Sequence, residues 1–388
     1  MYTFLFFKIS GENHLTIHIE EVDSLRQLKR FVDFPYQLYR NHAFWVPPIR
    51  LDEINTLRKD KNPAFENCEA RYWIAKKGRR IVGRIAAILN HKYIETWNNR
   101  YMRFGWLDFE DDPMISASLL NQVEQWALAR GLTAVHGPLG FTDMDYEGML
   151  IEGFEELGTL ATLYNYPYYP DYIEAAGYQK DIDWIEFEIE SPDQIPERLD
   201  RIADLAIRKL KLHVLRARKK KELVPYIPQI FDLIDETYSH LYGVVPLNPR
   251  QVAYYTSMYF GFIKPEYVSL ILDDNDRVAA FGITMPSLSK ALQRCKGRLF
   301  PFGFIHLLNA MHQTDRADLY LVGVRPSLQG KGINAIMIRE INRIYIKNRI
   351  KWVESNPELE TNTDVQGQWK FFDRRQHKRR RCFIKELK

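Results

Sequence analysis

Residues 319–334 read LYLVGVRPSLQGKGIN, and this stretch decides the fold. Residues 319–324 are rich in β-forming side chains and predict a strand. Apolar residues at helical spacing follow and predict a helix, whose apolar face is Ile333, Ile336, Met337, Ile341 and Ile344. Gly330 and Gly332 permit positive φ and let a ligand approach the backbone closely. Since the first N–H groups of a helix lack intrahelical partners, phosphate oxygens can satisfy them, helped by the helix dipole and Lys331.

Two other phosphate-binding loops have different patterns. A Walker A loop has another glycine spacing and ends in Lys-Ser or Lys-Thr. A dinucleotide fingerprint has a third glycine and a following strand with a ribose-binding acid. A plain glycine turn remains the alternative, and the complete string, from the hydrophobic strand to Gln-Gly-Lys-Gly-Ile, favours a phosphate cradle.

The string resembles the acyl-CoA motif of the GNAT superfamily of N-acyltransferases. This motif consists of Gln or Arg, any two residues, Gly, any one residue, and then Gly or Ala. Gln329 and Gly332 match this motif, whereas Asn334 departs from it. The resemblance implies that acetyl-CoA or another acyl-CoA binds here as a substrate. The binding residues that it implies are Gly323, Val324, Gln329, Gly330, Lys331, Gly332, Ile333 and Asn334.

Residues 351–357, KWVESNP, resemble the next strand of that family and the Asn that follows it. In the family this strand diverges from the preceding one, and the pantetheine arm lies in the gap. Attack of an amine on a thioester needs a base for the ammonium proton and an acid for the thiolate. Glu354 is the candidate base, with a solvated strand end as the alternative, and Asn356 is the second candidate catalytic residue. Trp369 stands where the family has a Tyr acid, so the acid is unassigned.

Both halves of the chain repeat one order of predicted strands and helices. This order predicts an α/β fold of two tandem GNAT-like domains, each a central mixed β-sheet flanked by helices, similar to bacterial GNAT-like proteins of unassigned substrate. We expect an N-terminal domain at residues 1–190, a linker helix within 191–212 and a C-terminal domain at 213–388. Residues 108–113, DFEDDP, supply acids where the first half would need a cradle, so only the second half is expected to bind coenzyme A.

Other parts of the first half are candidates for an acceptor pocket. Residues 137–140 and the aromatic run at 164–169 could form its wall, or could pack against the core instead. Residues 2–7 form an apolar run that is too short for a secretory signal or a membrane span, and no run of about 18 apolar residues follows. We expect residues 2–7 to be an edge strand or a loosely packed end, and no membrane span.

Composition narrows the classes of partner. A net charge of +4 over 388 residues does not call for a nucleic-acid or membrane partner. The three cysteines lie far apart and the histidines lack the spacing of metal ligands, so we expect neither disulfides nor a metal site. Free cysteines fit a reducing cytoplasm. Two basic clusters, 216–221 and 374–381, could attract RNA, anionic lipid or the 3′-phosphate of coenzyme A, or could be solvated strand ends.

These observations predict an acyl-CoA-dependent N-acyltransferase that acts on a small-molecule or peptide amine in a ternary complex. One alternative is a non-catalytic acyl-CoA-binding or scaffold protein, which the missing Tyr and Asn334 would suit. Another is a transferase that takes its acyl group from an aminoacyl-tRNA or an acyl carrier protein. No nucleic-acid partner is expected.

Overall fold

A computed structural model describes residues 16–388, and these form one continuous mixed sheet with helices on both faces. The apolar run at residues 2–7 lies outside the described residues. Across residues 16–388, every helix is too short or too polar to cross a bilayer.

The described part of the first half, residues 16–190, contains seven strands and five α-helices. Its strands are β1 (Ile17–Glu21), β2 (Cys68–Lys77), β3 (Arg80–Asn90), β4 (Tyr101–Phe109), β5 (Ala134–Gly137), β6 (Met149–Glu152) and β7 (Gln179–Glu190). Its helices are α1 (Leu25–Leu38), α2 (Arg50–Thr56), α3 (His91–Trp97), α4 (Pro113–Ala129) and α5 (Tyr168–Ala175). β2 and β3 form an antiparallel hairpin, and α1 begins directly after Ser24, which forms a capping box with Gln27.

The second half begins with a helix and ends with a strand. Its helices are α6 (Glu197–Leu210), α7 (Ile227–Tyr238), α8 (Pro249–Tyr259), α9 (Ser289–Cys295), α10 (Gly303–Gln313), α11 (Ile333–Lys347) and α12 (Thr363–Gln366). Its strands are β8 (His213–Leu215), β9 (Val268–Leu272), β10 (Val278–Pro286), β11 (Arg316–Val324), β12 (Trp352–Ser355), β13 (Glu358–Leu359) and β14 (Arg374–Glu386). The helices α9 and α10 lie between β10 and β11.

The sheet confirms the predicted repetition of elements. Twelve strands lie in the order β1-β2-β3-β4-β5-β14-β7-β12-β11-β10-β9-β8, while β6 pairs with β14 and β13 pairs with β7. In each half three antiparallel pairings lead to one parallel pair, β4 with β5 and β11 with β12. A helix connects the two strands of each parallel pair, α4 in the first half and α11 in the second.

The two halves exchange their last strands at the centre of the sheet. β7 pairs with β12 of the second half, and β14 pairs with β5 of the first half and with β7. The side chains follow the exchange, because Phe383 of β14 lies in the core of the first half while Phe187 of β7 lies in the core of the second. The predicted domain limits at 190 and 212 stay a prediction, and the sheet joins the two halves.

The basic cluster at residues 374–381 is a solvated strand end only in its first part, 374–376, and is largely buried beyond it. All of it belongs to β14, which lies beside the acid-rich β7, so the charges of the two strands neutralise each other. Lys378 is 1% exposed and contacts Glu354 and Glu186. Arg380 is also buried, and its Nε donates to Glu186 Oε1 at 2.5 Å. The other cluster, residues 216–221, lies mostly at the surface, as expected.

Candidate functional site

The predicted phosphate cradle has the backbone that such a loop needs. Gly330 and Gly332 have φ values of 73° and 86°, which favour glycine. α11 begins directly after Gly332, and no side chain caps its first turn. Gln329 Nε2 donates to the carbonyl oxygen of Val324 at 3.1 Å and fixes the loop against the end of β11. The N–H groups at the start of α11 are therefore free of side-chain caps and suited to an anion.

The linker helix α6 supports this loop from behind. A Cβ atom at Gly332 would lie 3.2 Å from Ile202 and 3.4 Å from Ala206, both on α6. Arg339 of α11 is ion-paired with Asp200 and Asp204 of α6. The loop is thus held in place by packing as well as by its own turn, and Lys331 remains exposed beside it.

β11 and β12 diverge just past their parallel pairing, as the resemblance implied. Their register ends at the pair Leu319 and Ser355. Asn356 bridges the opening, because its backbone N–H donates to Leu319 O at 3.1 Å and its side-chain amide donates to Tyr320 O at 3.0 Å. Gly323 and Val324 lie further along β11, between the opening and the cradle. Asn356 therefore shapes the opening through its hydrogen bonds.

A cavity of about 370 Å³ occupies this opening and extends to the first half of the chain. Residues 319–322 of β11 and 356–359 after β12 form one wall, and residues 143–147 of the first half form another. Apolar side chains, among them Leu160, Phe231, Ile263 and Met285, contribute most of the lining. Residues 137–140 and 164–169, the predicted pocket walls, do not line it. The rings of the aromatic run pack against one another and against Tyr39 instead.

Six carboxyl groups face the cavity: Asp52, Glu53, Asp143, Asp145, Glu147 and Glu358. Burial raises their pKa values, to about 6 for the three aspartates, to about 7 for Glu53 and Glu358, and well above the usual range for Glu147. Such a group of acids in an apolar cavity favours uptake of a cation. The sequence signal that could have located this group is the acidic run Asp143-Met144-Asp145-Tyr146-Glu147, in the connection between β5 and β6.

Glu358 combines three properties of a general base. It lies at the opening between the diverging strands, and burial raises its pKa to about 7. Trp369 Nε1 donates to its Oε1 at 2.7 Å, so the Trp at the expected acid position holds this carboxylate in place. The other oxygen, Oε2, is buried and has no hydrogen-bond partner within residues 16–388. It is therefore free to accept a proton from a ligand.

Glu354, the base suggested by sequence, is in a different environment. It does not line the cavity, and its carboxylate contacts Lys378 and His377. Burial alone would raise the pKa of Glu354, but the charge of Lys378 and the contact with His377 lower it well below the usual value. A carboxylate that is neutralised in this way is a weak base near neutral pH, which favours a structural role for it.

Tyr320 contributes a hydroxyl group to the same cavity. This hydroxyl is buried without a hydrogen-bond partner in the described part of the chain, and burial raises its pKa well above the usual value. It therefore stays protonated and can donate a hydrogen bond to a ligand. The Tyr320 hydroxyl was not identified from the sequence, because the pattern of residues 319–324 predicts a strand and gives no role to the side chains of that strand.

The corresponding region of the first half is closed. Asp112 Oδ1 accepts from the N–H of Met114 at 2.8 Å and caps the first turn of α4, where a phosphate would bind. Past β5, the N–H of Leu139 donates to Phe104 O at 2.8 Å, so the chain stays hydrogen-bonded to β4. The corresponding strands of the second half, β11 and β12, diverge at this point. A Cβ atom at Gly105 would lie 2.5 Å from Leu139 O. This geometry agrees with a single cradle in the second half.

One group within residues 16–388 brings three potential metal ligands within 4.8 Å of one another, namely His136, Asp181 and Cys382. The Tyr242 hydroxyl lies among them, 3.0 Å from His136 Nδ1 and 3.5 Å from Cys382 Sγ, and it donates to Asp181. Burial lowers the pKa of His136 to about 4, so its ring is neutral. Hydrogen bonds to Tyr242 account for this arrangement, and Tyr242 also lines the cavity.

Two bacterial proteins are similar to this chain in sequence. Protein YghO of Escherichia coli (strain K12) is 27% identical over 367 residues, which cover 93% of each chain. Bacterial ceramide synthase of Caulobacter vibrioides (strain NA1000 / CB15N) is 25% identical over 311 residues, covering 78% of this chain and 79% of that protein. No protein-family model matches the chain.

Two solved structures have a similar arrangement of elements. A tandem GNAT protein from the clavulanic acid biosynthesis pathway aligns with 96% of this chain and 98% of its own length, with a TM-score of 0.56 and 11% identity. A GCN5-related glucosamine N-acetyltransferase region of a fungal multi-domain β-N-acetylglucosaminidase aligns with 96% of this chain and 38% of that chain, with a TM-score of 0.55 and 12% identity. Both alignments extend over the two halves.

Proposed function

Because the chain has the tandem GNAT fold that its sequence predicted, we propose that it is an acyl-CoA-dependent N-acyltransferase. The observation that carries this proposal is the acid-lined cavity at the opening between β11 and β12, on the same strand that leads to the cradle. The cradle is suited to an acyl donor that carries a diphosphate, as coenzyme A does. The carboxyl groups are suited to an acyl acceptor that enters as an ammonium ion.

The cradle would hold the donor through backbone N–H groups. Gly330, Gly332 and Ile333 bring the chain around the pyrophosphate, and Lys331 adds a positive charge beside it. The pantetheine arm would then follow β11 past Val324 and Gly323 and deliver the thioester to the cavity. Asn334 at the start of α11 is small enough to leave this path open.

The cavity supports an amine that carries a long apolar chain. Its lining within residues 16–388 is mostly apolar and contains carboxyl groups but no Lys or Arg, so an ammonium group with an alkyl tail would satisfy both the acids and the apolar walls. The name of the Caulobacter relative agrees with this, because a ceramide is the N-acyl product of a long-chain amino alcohol. We therefore propose a long-chain amino alcohol as the acceptor and a fatty acyl-CoA as the donor, with the reaction in the cytoplasm.

The reaction would proceed by direct transfer. Glu358 Oε2 takes one proton from the ammonium group, and the free amine attacks the thioester carbonyl carbon. As the C–N bond forms and the C–S bond breaks, the Tyr320 hydroxyl protonates the thiolate and regains a proton from the nitrogen. The products are an amide and free coenzyme A, and Glu358 returns its proton to solvent.

Replacing the exposed Lys331 by Glu is expected to weaken acyl-CoA binding by about tenfold, because it puts a negative charge beside the pyrophosphate. Gly332→Glu is expected to abolish binding, since its side chain adds bulk against α6 and a like charge. Asn334→Ala, which restores the family pattern, should bind at least as tightly as the wild type. Calorimetric titration with acetyl-CoA and longer acyl-CoAs measures all three affinities.

Lys59→Glu is the matched control, because it makes the same charge change at an exposed site in the first half and should leave the affinity unchanged. If the wild type binds no acyl-CoA, the donor assignment is wrong, and an aminoacyl-tRNA or acyl carrier protein takes its place. Acyl-CoA binding without release of free thiol in the presence of any amine would favour a non-catalytic binding or scaffold protein.

A further inference from the structure

The α9–α10 hairpin, residues 287–314, carries a concentrated group of exposed apolar side chains. Phe300 is 77% exposed and Phe302 is 71% exposed, and both precede α10. On α10 itself, Phe304, Ile305 and Leu308 are exposed on one face while Leu307 is buried on the other. The rings of Phe300 and Phe304 are 6.4 Å apart, so the loop and the helix form one surface. Proteins seldom leave such a group of large apolar side chains in water without a partner for it.

The same hairpin is strongly basic. Residues 287–314 contain four basic side chains, Lys290, Arg294, Lys296 and Arg298, and no Asp or Glu. All four are exposed. Their combined charge equals the net charge of the whole chain, +4. This charge is small for 388 residues, so the overall composition did not indicate an anionic surface as partner, but it is large for a segment of this length. The hairpin thus offers aromatic and aliphatic side chains next to cations.

We infer that the α9–α10 hairpin docks on a lipid bilayer that contains anionic headgroups. Phe, Ile and Leu side chains can enter the boundary between headgroups and acyl chains, while Lys and Arg side chains bind the phosphates around them. A second copy of the chain would fit less well, because a symmetric interface through this face would bring the four cations of each copy together. The charges therefore favour a negatively charged partner.

The position of the hairpin relates the bilayer to the cavity. Leu288, Leu292 and Leu307, on the inner side of the hairpin, pack in one cluster with Ile49 of the first half. Ile49 also lines the cavity, as do Leu160 and Phe262, which pack against the same cluster. A membrane bound to the hairpin would lie next to the cavity wall. This inference rests on the surface alone, and it stands or falls independently of the proposed acyl transfer.

Co-sedimentation of the full-length protein with vesicles tests the inference. We expect binding to vesicles of phosphatidylcholine with phosphatidylglycerol, and weak binding to phosphatidylcholine alone. The double variant Phe300→Ser/Phe302→Ser should lower partitioning by about tenfold, because it removes two large apolar groups from the contact. Arg294→Glu/Arg298→Glu should remove the preference for anionic vesicles.

A matched control is available on α4, where Met114 is 63% exposed and Leu128 is 41% exposed. Met114→Ser/Leu128→Ser removes exposed apolar side chains elsewhere and should leave vesicle binding unchanged. All variants should melt at the wild-type temperature, since the replaced side chains are exposed. Failure of the wild type to bind anionic vesicles would overturn the inference. So would a wild-type dimer in sedimentation velocity that the Phe300→Ser/Phe302→Ser variant converts to a monomer, because the face would then join two copies.

Discussion

Glu358→Gln is expected to lower kcat by about 10²- to 10⁴-fold, the range for loss of a general base. The amide keeps the shape of the side chain and can still accept from Trp369, but it cannot take a proton from the ammonium group. KM for the acyl-CoA should change little, since Glu358 does not belong to the cradle. Steady-state rates of thiol release measure both constants.

The pH dependence of kcat identifies the base. Glu358 must be ionised to accept a proton, and burial raises its pKa to about 7, so activity should rise with pH up to about that value. In Glu358→Gln this rise should disappear. Glu360→Gln is the control, because Glu360 lies two residues away and is ion-paired with Lys180 and Arg379 outside the cavity lining. Wild-type kcat in Glu358→Gln would assign the base to another group.

Lys378→Met is expected to destabilise the protein by about 3–5 kcal/mol, because it leaves the buried carboxylate of Glu354 without its Lys partner, while Glu186 keeps Arg380. Lys378 contacts Glu354 and Glu186, both buried between the two halves of the sheet. Urea unfolding followed by circular dichroism measures the loss. Arg374→Met on the same strand is exposed and should cost less than about 1 kcal/mol.

The same network predicts an acid dependence of stability. The pKa of Glu354 is lowered in the folded chain from its ordinary value of 4.5. Its contribution to stability is therefore present above pH 4.5 and is lost as the pH falls below it. Because Lys378 causes much of this shift, the Lys378→Met variant should lose less stability over that acidic range than the wild type. Equal losses in both proteins would contradict the assignment of Lys378 as the partner.

The sequence was sufficient where the structure is local. The strand, the two glycines and the helix of the cradle are consecutive, so their geometry depends on neighbours in the chain, and Gly330 and Gly332 adopt the positive φ values that were expected. The divergence of β11 and β12 was also expected from residues 351–357. Within that segment, however, the register of β12 directs Glu354 towards Lys378, and the carboxylate at the cavity is Glu358, after Pro357.

The sequence was insufficient where contacts join distant parts of the chain. The cavity combines residues 143–147 with β11 and Glu358, and no periodicity in the sequence relates these segments. The exchange of β7 and β14 was missed for the same reason, although the signal was present. β7 carries Asp183, Glu186 and Glu188, and the basic run of β14 is their electrostatic complement.

The most direct test of acyl transfer combines two readouts in one incubation of the purified protein with a fatty acyl-CoA and a long-chain amino alcohol. Free thiol is followed by its colour reaction, and the amide is identified by mass spectrometry. We predict release of thiol and formation of the N-acyl product in equal amounts, both abolished in Gly332→Glu and greatly slowed in Glu358→Gln. Thiol release without an amide, or no thiol release with any acyl-CoA and amine pair, would contradict the assignment of this chain as an N-acyltransferase.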